Sequence, residues 1–306
     1  MNNSTAPVSL FNSLVFFLEF HPHFKNYIYF LIFLNSLCSI VAVILNSLVI
    51  LTLVKTASLR TSSNIFILSL AISDFGVGIV TQPAYFCRLI AGLVKDAVFY
   101  NTTRMIYFQS FNALITGSLL TVTAITIDRF LALYLHLRYQ ELVTSRRSYA
   151  AVAIIWTVSL SWSFLLATNK DWLNILNDIF ILIIVIIDVY LMIKISRVIR
   201  RHSAQIHSQQ QINQPTMNIQ RYKKTVNVMN YIIVLFLLCY MPSFVVYAVM
   251  YSLKTAGLKR GIWFFYVAHS ASTIVFMNSA INPLIYCWRI EEMRNALFQI
   301  FRRHPR

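Results

Sequence analysis

Carboxylates within apolar sequence are the residues of this chain with the clearest chemical potential. Asp74, Asp178 and Asp188 each interrupt a long apolar stretch. Burying an ionised side chain there is costly, so such a carboxylate usually binds a cation, shares a proton or faces a charged ligand. The sequence contains no nucleophile–base set and no cluster of metal-ligating residues, and we therefore do not predict an enzyme.

The composition explains what those stretches are. Apolar residues make up 58% of the 306 residues and charged residues 12%, whereas soluble proteins average about 45–50% and about 25%. A helix needs about 20 apolar residues to cross a bilayer, and several such stretches follow one another. The sequence predicts an all-α membrane protein, a seven-transmembrane helix bundle with spans at about 27–54, 61–87, 101–134, 148–168, 172–199, 222–252 and 261–287.

The flanking segments complete the domain organisation. We predict an extracellular N-terminal tail at 1–26, the transmembrane domain at 27–288, and a short amphipathic eighth helix with a brief cytoplasmic tail at 289–306. The apolar run Val8–Phe20 is either part of a poorly ordered tail or a membrane-surface segment. The eighth helix, expected over Glu291–Phe301, would rest on inner-leaflet lipid through Met293, Leu297, Phe298, Ile300 and Phe301.

Lys and Arg set the orientation. Of the 26 such residues, 18 lie on the membrane side that carries the C-terminus, and an excess of this kind marks the cytoplasm. The sequence therefore predicts a multi-pass plasma-membrane protein with its N-terminus outside and its C-terminus inside. Asn2, Asn3 and Asn101, each in an Asn-x-Ser/Thr triplet, would then be glycosylation sites. The net charge of +16 lies in loops between apolar blocks, which favours anionic lipid over nucleic acid as a partner.

A series of short motifs follows the predicted spans in a fixed order. In chain order they are Asn46, Asp74, Asp128-Arg129-Phe130, Trp156, Tyr190, Cys239-Tyr240-Met241-Pro242 and Asn282-Pro283-Leu284-Ile285-Tyr286. Each motif is weak by itself, but the whole order is very specific. Together the motifs closely resemble those of the rhodopsin-like (class A) G-protein-coupled receptors, and the resemblance covers almost the whole chain from Asn46 onward.

The resemblance implies a sodium ion beside Asp74. The residues expected to complete its shell all carry oxygen, the atom that a hard cation prefers. The alternative is that Asp74 is protonated and only hydrogen-bonded. No covalent cofactor is expected, and allosteric Na⁺ would be held by Asp74, Ser118, Asn278, Ser279 and Asn282.

The resemblance also implies a switch at the inner end of the third span. Arg129 would pair with Asp128 at rest, and would turn towards Tyr190, Tyr286 and a heterotrimeric G protein in the active form. An arginine that merely extends to the membrane surface is the alternative. The pairing of Asp128 with Arg129 in an otherwise uncharged segment favours the switch.

The sixth and seventh spans carry the expected hinge residues. Pro242 and Pro283 each remove a helical hydrogen bond, so both helices should bend there. Tyr240 stands where the family has Trp below the ligand pocket. The sixth helix opens with Tyr222 rather than the acid that some relatives use to latch Arg129, and this predicts measurable signalling without ligand. Arrestin is a further expected partner, through Ser and Thr residues of the third intracellular loop.

The chain departs from most of the family on its outer side. The four cysteines are Cys38, Cys87, Cys239 and Cys287, and the third-helix position that usually carries a disulfide holds Arg104. We therefore predict no disulfide. A brief second outer loop and a fifth helix without proline accompany this loss. The combination resembles the melanocortin, cannabinoid and lysolipid receptor branch, and the segment LRYQELVT resembles melanocortin and adenosine receptors.

The ligand pocket is expected in the outer third of the bundle. A retinal Schiff base is excluded because 261–288 contains no Lys, and Phe111 replaces the Asp that binds amines in relatives. Asn174 and Asp178 share a helix face. Asp178 is either the counter-ion of a cationic ligand or a boundary carboxylate, hydrated or paired with Arg104 or Lys170. The remaining candidates are Asn112, Ile115, Ser243, Phe244, Tyr247, Ser272 and Phe276.

The leading hypothesis is a receptor that converts binding of an extracellular small molecule, lipid or peptide into activation of a heterotrimeric G protein. The alternatives are a weakly signalling orphan receptor, given Phe130 and Tyr240, and a transporter or channel. Asp188, two residues before Tyr190, receives no role from the sequence. His269 is either a pH-sensitive contact or a hydrogen-bonded residue at the pocket rim.

Overall fold

The computed structural model describes residues 5–135, 138–168, 170–209, 231, 233–246, 248–249, 252, 261–289 and 291–302. Across these residues the chain is helical and contains no strand. Six helices are long and apolar enough to cross a membrane, and a shorter apolar helix lies within the predicted sixth span. The predicted all-α membrane fold is therefore confirmed.

The helices follow the predicted order, with some different boundaries. The fifth spanning helix continues to Gln209 instead of ending at 199, and parts of the predicted sixth helix lie outside the described residues. In chain order the helices are α1 (Thr5–Phe20), α2 (Pro22–Lys55), α3 (Ser62–Gly76), α4 (Gln82–Leu93), α5 (Ala97–Leu135), α6 (Tyr139–Leu142), α7 (Ser145–Leu166), α8 (Asp171–Gln209), α9 (Ile233–Val246), α10 (Ile262–Arg289) and α11 (Glu291–Arg302).

Helix α1 lies within the predicted N-terminal tail and shows that the apolar run Val8–Phe20 is helical. Residues 5–20 form a helix whose Leu14 and Leu18 are buried. A Cβ added to Gly92 of α4 would lie only 2.7 Å from Leu14 Cδ2, so this glycine allows the close approach of α1. The segment is helical because its apolar residues recur at helical spacing and bury surface that a tail would expose. We call the end of the bundle that α1 covers the outer end, and the end that carries Arg129 the inner end.

The second span is interrupted by a π-helical turn, Val77–Thr81, between α3 and α4. Pro83 explains the turn, because proline lacks an N–H and its ring clashes with the carbonyl four residues earlier in a regular helix. Within the turn, Gly78 lies against α2, and the Ser39 hydroxyl donates to the Gly78 carbonyl at 2.6 Å. Beyond it α4 runs to Leu93, past the predicted end at 87.

Helix α5 is the centre of the bundle. It packs against α3, α4, α7 and α8, while α10 packs against α2. Trp156 of α7 donates its indole N–H to the Ser69 hydroxyl of α3 at 3.2 Å, and Ser69 lies 3.3 Å from the Thr121 hydroxyl of α5. These bonds tie three spans together at mid-height.

The buried apolar side chains of the described residues form two clusters. Tyr240 of α9 packs against both of them. The inner cluster also receives α11, whose Met293 is fully buried. Representative members of the inner cluster are Leu70, Leu119, Tyr286 and Met293, and those of the outer cluster are Phe24, Tyr85, Leu89 and Phe276.

Candidate functional site

Asp74 lies in a buried polar network between α3, α5 and α10. Its side chain is 1% exposed, and Asn282 donates its amide to Asp74 Oδ2 at 2.8 Å. The Ser118 hydroxyl lies 2.9 Å from that of Ser73, which in turn donates to the Leu70 carbonyl. Ser73 is thus a member of this network that the sequence reasoning did not include.

Several oxygen atoms around Asp74 are buried without a hydrogen-bond donor from the described residues. They belong to Asn278, Asn282 and Tyr286, whereas the Ser279 side chain hydrogen-bonds to Asp74. Unsatisfied buried oxygens are costly, and carboxylate, amide and hydroxyl oxygens are the ligands of a hard cation. Asn282 and Ser279 thus contact Asp74, Ser118 is joined to Ser73 and by no described contact to Asp74, and the oxygen atoms present fit the ligands of Na⁺.

Asp128 receives hydrogen bonds from its neighbour Arg129 and from two other elements of the inner end, α3 and α6. Arg129 donates to Asp128 Oδ2 through Nη2 at 2.6 Å and Nε at 3.0 Å. Tyr139 of α6 donates to Oδ1 at 2.7 Å, and Ser63 of α3 donates to Oδ2 at 2.9 Å. Burial, together with the Asp128 carboxylate, raises the pKa of the Tyr139 hydroxyl above its ordinary value of 10.0, so Tyr139 remains a donor at neutral pH. The arrangement holds Arg129 against its own helix.

Asp188 and Tyr190 lie on different faces of the inner half of α8. Tyr190 is 54% exposed, and its ring lies 5.0 Å from the Lys194 ammonium. Asp188 is instead buried, and accepts a hydrogen bond from Thr123 of α5 at 3.0 Å. In this conformation Asp188, rather than Tyr190, is the polar residue of α8 that contacts α5.

Four aromatic side chains meet at the outer end between α4, α5 and α10. Tyr85 lies with its ring centroid 5.5 Å from Tyr107 and 5.1 Å from Phe276. Phe111 lies 5.5 Å from Tyr107 and 6.3 Å from Phe276. We call Tyr85, Tyr107, Phe111 and Phe276 the aromatic box. Two of its members, Phe111 and Phe276, were predicted as ligand-pocket residues.

Polar groups border the aromatic box. The Tyr85 hydroxyl lies 2.9 Å from His269 Nδ1, which makes His269 a buried hydrogen-bonded residue of α10. The Arg88 guanidinium lies over two rings of the box, 5.2 Å from the Tyr85 centroid and 4.8 Å from that of Tyr107. The box therefore combines apolar walls with a cation.

Of the other predicted pocket residues, Ile115 belongs to the outer cluster that contains the box, and the rest are not joined to the box by a described contact. Asn112 and Ser272 donate to carbonyls of their own helices, those of Phe108 and Ala268. Ile115 and Ser243 are buried, and Phe244, Asn174 and Asp178 are half-buried. Tyr247, Asn2 and Asn3 lie outside the described residues. Asn101 lies in the second turn of α5, with its amide oxygen buried.

Tyr85, Tyr107 and Arg88 are the members of this site that sequence reasoning missed. Tyr85 and Arg88 are three residues apart, which is the spacing of one helix face. That signal was present in the sequence, but the predicted end of the second span at 87 assigned Arg88 to a loop. The extension of α4 to Leu93 places it on the helix.

Comparison with known proteins decides the class of this helix bundle. The family described as 7 transmembrane receptor (rhodopsin family) matches residues 45–177. Adenosine receptor A2b of Gallus gallus is 23% identical over 310 residues, which cover 88% of this chain and 87% of that receptor. These matches confirm the predicted resemblance of the chain to the rhodopsin-like receptors. The predicted seven-helix fold is likewise confirmed, and the similarity supports a G-protein-coupled receptor.

Further relatives place the chain near the adenosine receptors, as the sequence resemblance indicated. Adenosine receptor A2a of Homo sapiens is 24% identical over 307 residues, covering 87% of this chain and 70% of that receptor. Adenosine receptor A3 of Ovis aries is 25% identical over 301 residues, covering 88% and 87%. These relatives are receptors rather than enzymes or transporters.

Proposed function

We propose that this receptor lies in the plasma membrane with its outer end outside the cell, binds a small ligand at the aromatic box, and activates a heterotrimeric G protein at its inner end. The observation that carries the proposal is the hold on Arg129. Asp128 accepts bonds from Arg129, Tyr139 and Ser63, so the guanidinium becomes available only when these contacts rearrange. A buried pair with two alternative arrangements is a discrete switch rather than a flexible surface charge.

Tyr240 supplies a physical route between ligand and switch. Its ring stacks on Phe236 with centroids 3.9 Å apart, and it packs against both the inner and the outer cluster. The Tyr240 ring would have one arrangement in the resting state and another in the active state. A ligand that binds the box more tightly in one of these states shifts the receptor population towards that state, by an amount set by the difference in affinity.

Allosteric Na⁺ belongs to the same proposal. Asp74, Ser118, Asn278, Ser279 and Asn282 would hold the ion, and its positive charge would compensate the buried carboxylate. The support is the set of buried oxygens without a donor among the described residues. This chain's own residues, Asn282 above all, already orient the carboxylate through the 2.8 Å hydrogen bond.

The ligand is proposed to be a small molecule with a planar aromatic part. The four rings of the box favour stacking partners of this kind. Relatives named as adenosine receptors support the same chemistry, and adenosine is therefore the first compound to test. Membrane lipid and arrestin are further proposed partners. The exposed Phe298 of α11 supports contact with lipid.

The decisive experiment is nucleotide exchange on a purified heterotrimer. The receptor in lipid nanodiscs should accelerate exchange on at least one G-protein class, and Arg129→Ala at equal receptor concentration should abolish the acceleration. Acceleration that survives Arg129→Ala would contradict the assigned switch. A wild-type receptor that never accelerates exchange would favour the weakly signalling alternative. Transport of a solute across proteoliposome membranes would favour the transporter alternative.

A further inference from the structure

A carboxyl group lies within the buried apolar face of α8. Ile184, Asp188 and Ile195 are all buried, Asp188 with 3% exposure, and they recur at helical spacing along the inner half of the helix. Ile184 belongs to the inner cluster, together with Ile233 and Phe236 of α9. Asp188 follows Ile184 by four residues and shares its face. An acid therefore occupies a position where the pattern of this helix requires an apolar side chain.

The contacts of Asp188 do not suit an ionised carboxylate. Its Oδ2 lies 3.0 Å from the Thr123 hydroxyl of α5. Its Oδ1 is buried without a hydrogen-bond partner among the described residues. A carboxylate accepts at both oxygens, and in an apolar site it needs several donors or a cation to be stable. One hydroxyl contact is too little for the charged form, and the neutral acid fits the site better.

The count of hydrogens at Thr123 is a second, independent indication. Its hydroxyl lies 3.0 Å from Asp188 Oδ2 and also 3.0 Å from the Leu119 carbonyl oxygen of its own helix. A hydroxyl has one hydrogen, and a carbonyl oxygen can only accept. When Thr123 donates to the Leu119 carbonyl, as threonine commonly does in helices, the contact with Asp188 needs a hydrogen from the acid. A protonated Asp188 satisfies both contacts at once.

No described cation is paired with Asp188. Helix α8 packs against α5 and α7, and Ile184 brings it into one cluster with α9. In the described parts of these neighbours, the charged residues are paired with each other, exposed or at the outer end: Asp128 with Arg129, Arg146 and Arg147, and Arg104. The other titratable side chains there cannot carry positive charge, and they are Tyr100, Tyr107, Tyr134, Tyr149, Cys239 and Tyr240. On α8 itself, the Lys194 ammonium lies over the exposed Tyr190 ring.

The position of Asp188 links its proton to the opening of the inner end. Ile233 and Phe236, which share a cluster with Ile184, precede Pro242 on α9. A bend at Pro242 that swings the inner half of α9 outward moves both residues away from α8. The face that carries Asp188 then loses apolar cover and gains water, which stabilises the ionised form of an acid.

We propose that Asp188 is a proton-binding site of the resting receptor, the state in which Arg129 is paired with Asp128, and that opening of the inner end releases this proton. The O–H bond breaks, its electron pair remains on the carboxylate, and the proton passes to cytoplasmic water. The release step rests on the proposed function, whereas the bound proton is a property of the closed bundle alone. Because the open state holds one proton fewer, a fall in pH favours the closed state and a rise favours the open one.

Infrared absorption tests the bound proton directly, since a neutral carboxylic acid and a carboxylate absorb at different frequencies. The spectrum of Asp188→Asn is subtracted from that of the wild type, both in a maltoside detergent, which contains no carbonyl group. We expect the difference to contain the band of a neutral acid at neutral pH. Asp96→Asn is the control, because Asp96 is exposed at the start of α5. Its difference spectrum should lack that band.

The pH dependence of signalling tests the release. Ligand-free nucleotide exchange on the purified heterotrimer is measured in nanodiscs between about pH 6 and about pH 8, at constant sodium concentration. We expect exchange by the wild type to rise with pH, by at most about tenfold per pH unit for one proton. Asp188→Asn cannot ionise and should remain at the low-pH level. Division of the two profiles removes the pH dependence of the G protein and of the other titratable groups.

A matched pair at Thr123 gives a second test that does not depend on the folding of Asp188→Asn. Thr123→Val removes the hydroxyl that accepts the acid hydrogen. The neutral-acid band should therefore move to a higher frequency, and ligand-free exchange should rise about fivefold, because the closed state loses a buried hydrogen bond. Thr123→Ser keeps the hydroxyl and should change neither the band nor the exchange rate.

Two results would overturn the inference: a difference spectrum with only a carboxylate band at rest, or the same pH profile in the wild type and in Asp188→Asn. The infrared measurement contains no G protein, so the two proposals fail separately. A carboxylate at rest in a receptor that activates G protein would refute the proton site alone. A neutral Asp188 in a receptor that never accelerates exchange would refute the proposed function and the release step, and would leave the proton site in place.

Discussion

The outer and inner halves of this receptor each contain an apolar cluster but differ in what is added to it. The outer cluster is rich in ring contacts, such as Tyr85 with Phe276 at 5.1 Å, whereas the inner half adds directed hydrogen bonds to a buried charge, those on Asp128. Apolar ring packing is tolerant of small displacements, whereas hydrogen bonds to a buried charge are either made or broken. The difference suits a ligand site at one end and a two-state switch at the other.

The largest effect should follow from removing a ring of the outer half. Phe276→Ala deletes a fully buried ring that contacts Tyr85, Tyr107 and Phe111. We expect the free energy of unfolding to fall by about 3–5 kcal/mol, measured by denaturation in nanodiscs. Phe164→Ala, at a 67% exposed ring of α7, is the control and should have little effect. Equal losses at both positions would mean that the box does not stabilise the outer half.

A smaller effect on stability but a larger one on signalling should follow from breaking the inner contacts. Asp128→Asn removes the charge that holds Arg129, and hydrogen bonds to charged groups contribute about 1.5–3 kcal/mol. We expect ligand-free nucleotide exchange to rise about tenfold. Tyr139→Phe removes only one of the three donors to Asp128 and should give a smaller rise. Exchange that is unchanged in Asp128→Asn would show that Arg129 is not restrained by this pair.

The smallest effect should come from the exposed ion pair of the outer half. Glu19 pairs with Lys95, but their side chains are 41% and 57% exposed, so solvent screens the attraction. Glu19→Gln should change the free energy of unfolding by less than about 0.5 kcal/mol. Leu14→Ala on the same helix removes a buried side chain and should cost about 2–3 kcal/mol. A larger loss of stability in Glu19→Gln than in Leu14→Ala would show that the ion pair, rather than apolar burial, holds α1 in place.

The membrane made much of this fold predictable. A bilayer requires long charge-free stretches, so spans such as 261–287 could be read from charge alone, and α10 begins within a residue of that prediction. Arg129 and Asp128 could be paired because they are neighbours on one segment. These features depend on local sequence or on the solvent, and both are visible in the chain itself.

The missed features depend on contacts between distant segments. Helix α1 is stabilised by packing on Gly92, more than seventy residues away, which no local pattern of residues 5–20 reveals. The phase of α8, which turns Asp188 inward and Tyr190 outward, is set by its contact with Thr123 of α5. Arg88 was assigned to a loop because the length of an apolar stretch shows where a helix leaves the membrane core. It does not show where the helix itself ends, and α4 continues to Leu93.

The number of residues in the π-helical turn Val77–Thr81 sets which face of α4 points into the bundle. Deleting one residue there would rotate α4 by about 100° relative to α3, carrying Tyr85 and Arg88 from the interior towards the lipid. In two receptors that differ by one residue in this turn, the residues at Asp74 would occupy the same helix face. The residues aligned with Arg88 would occupy different faces. Ligand selectivity could therefore change through a single insertion or deletion, without any substitution among the residues that line the pocket.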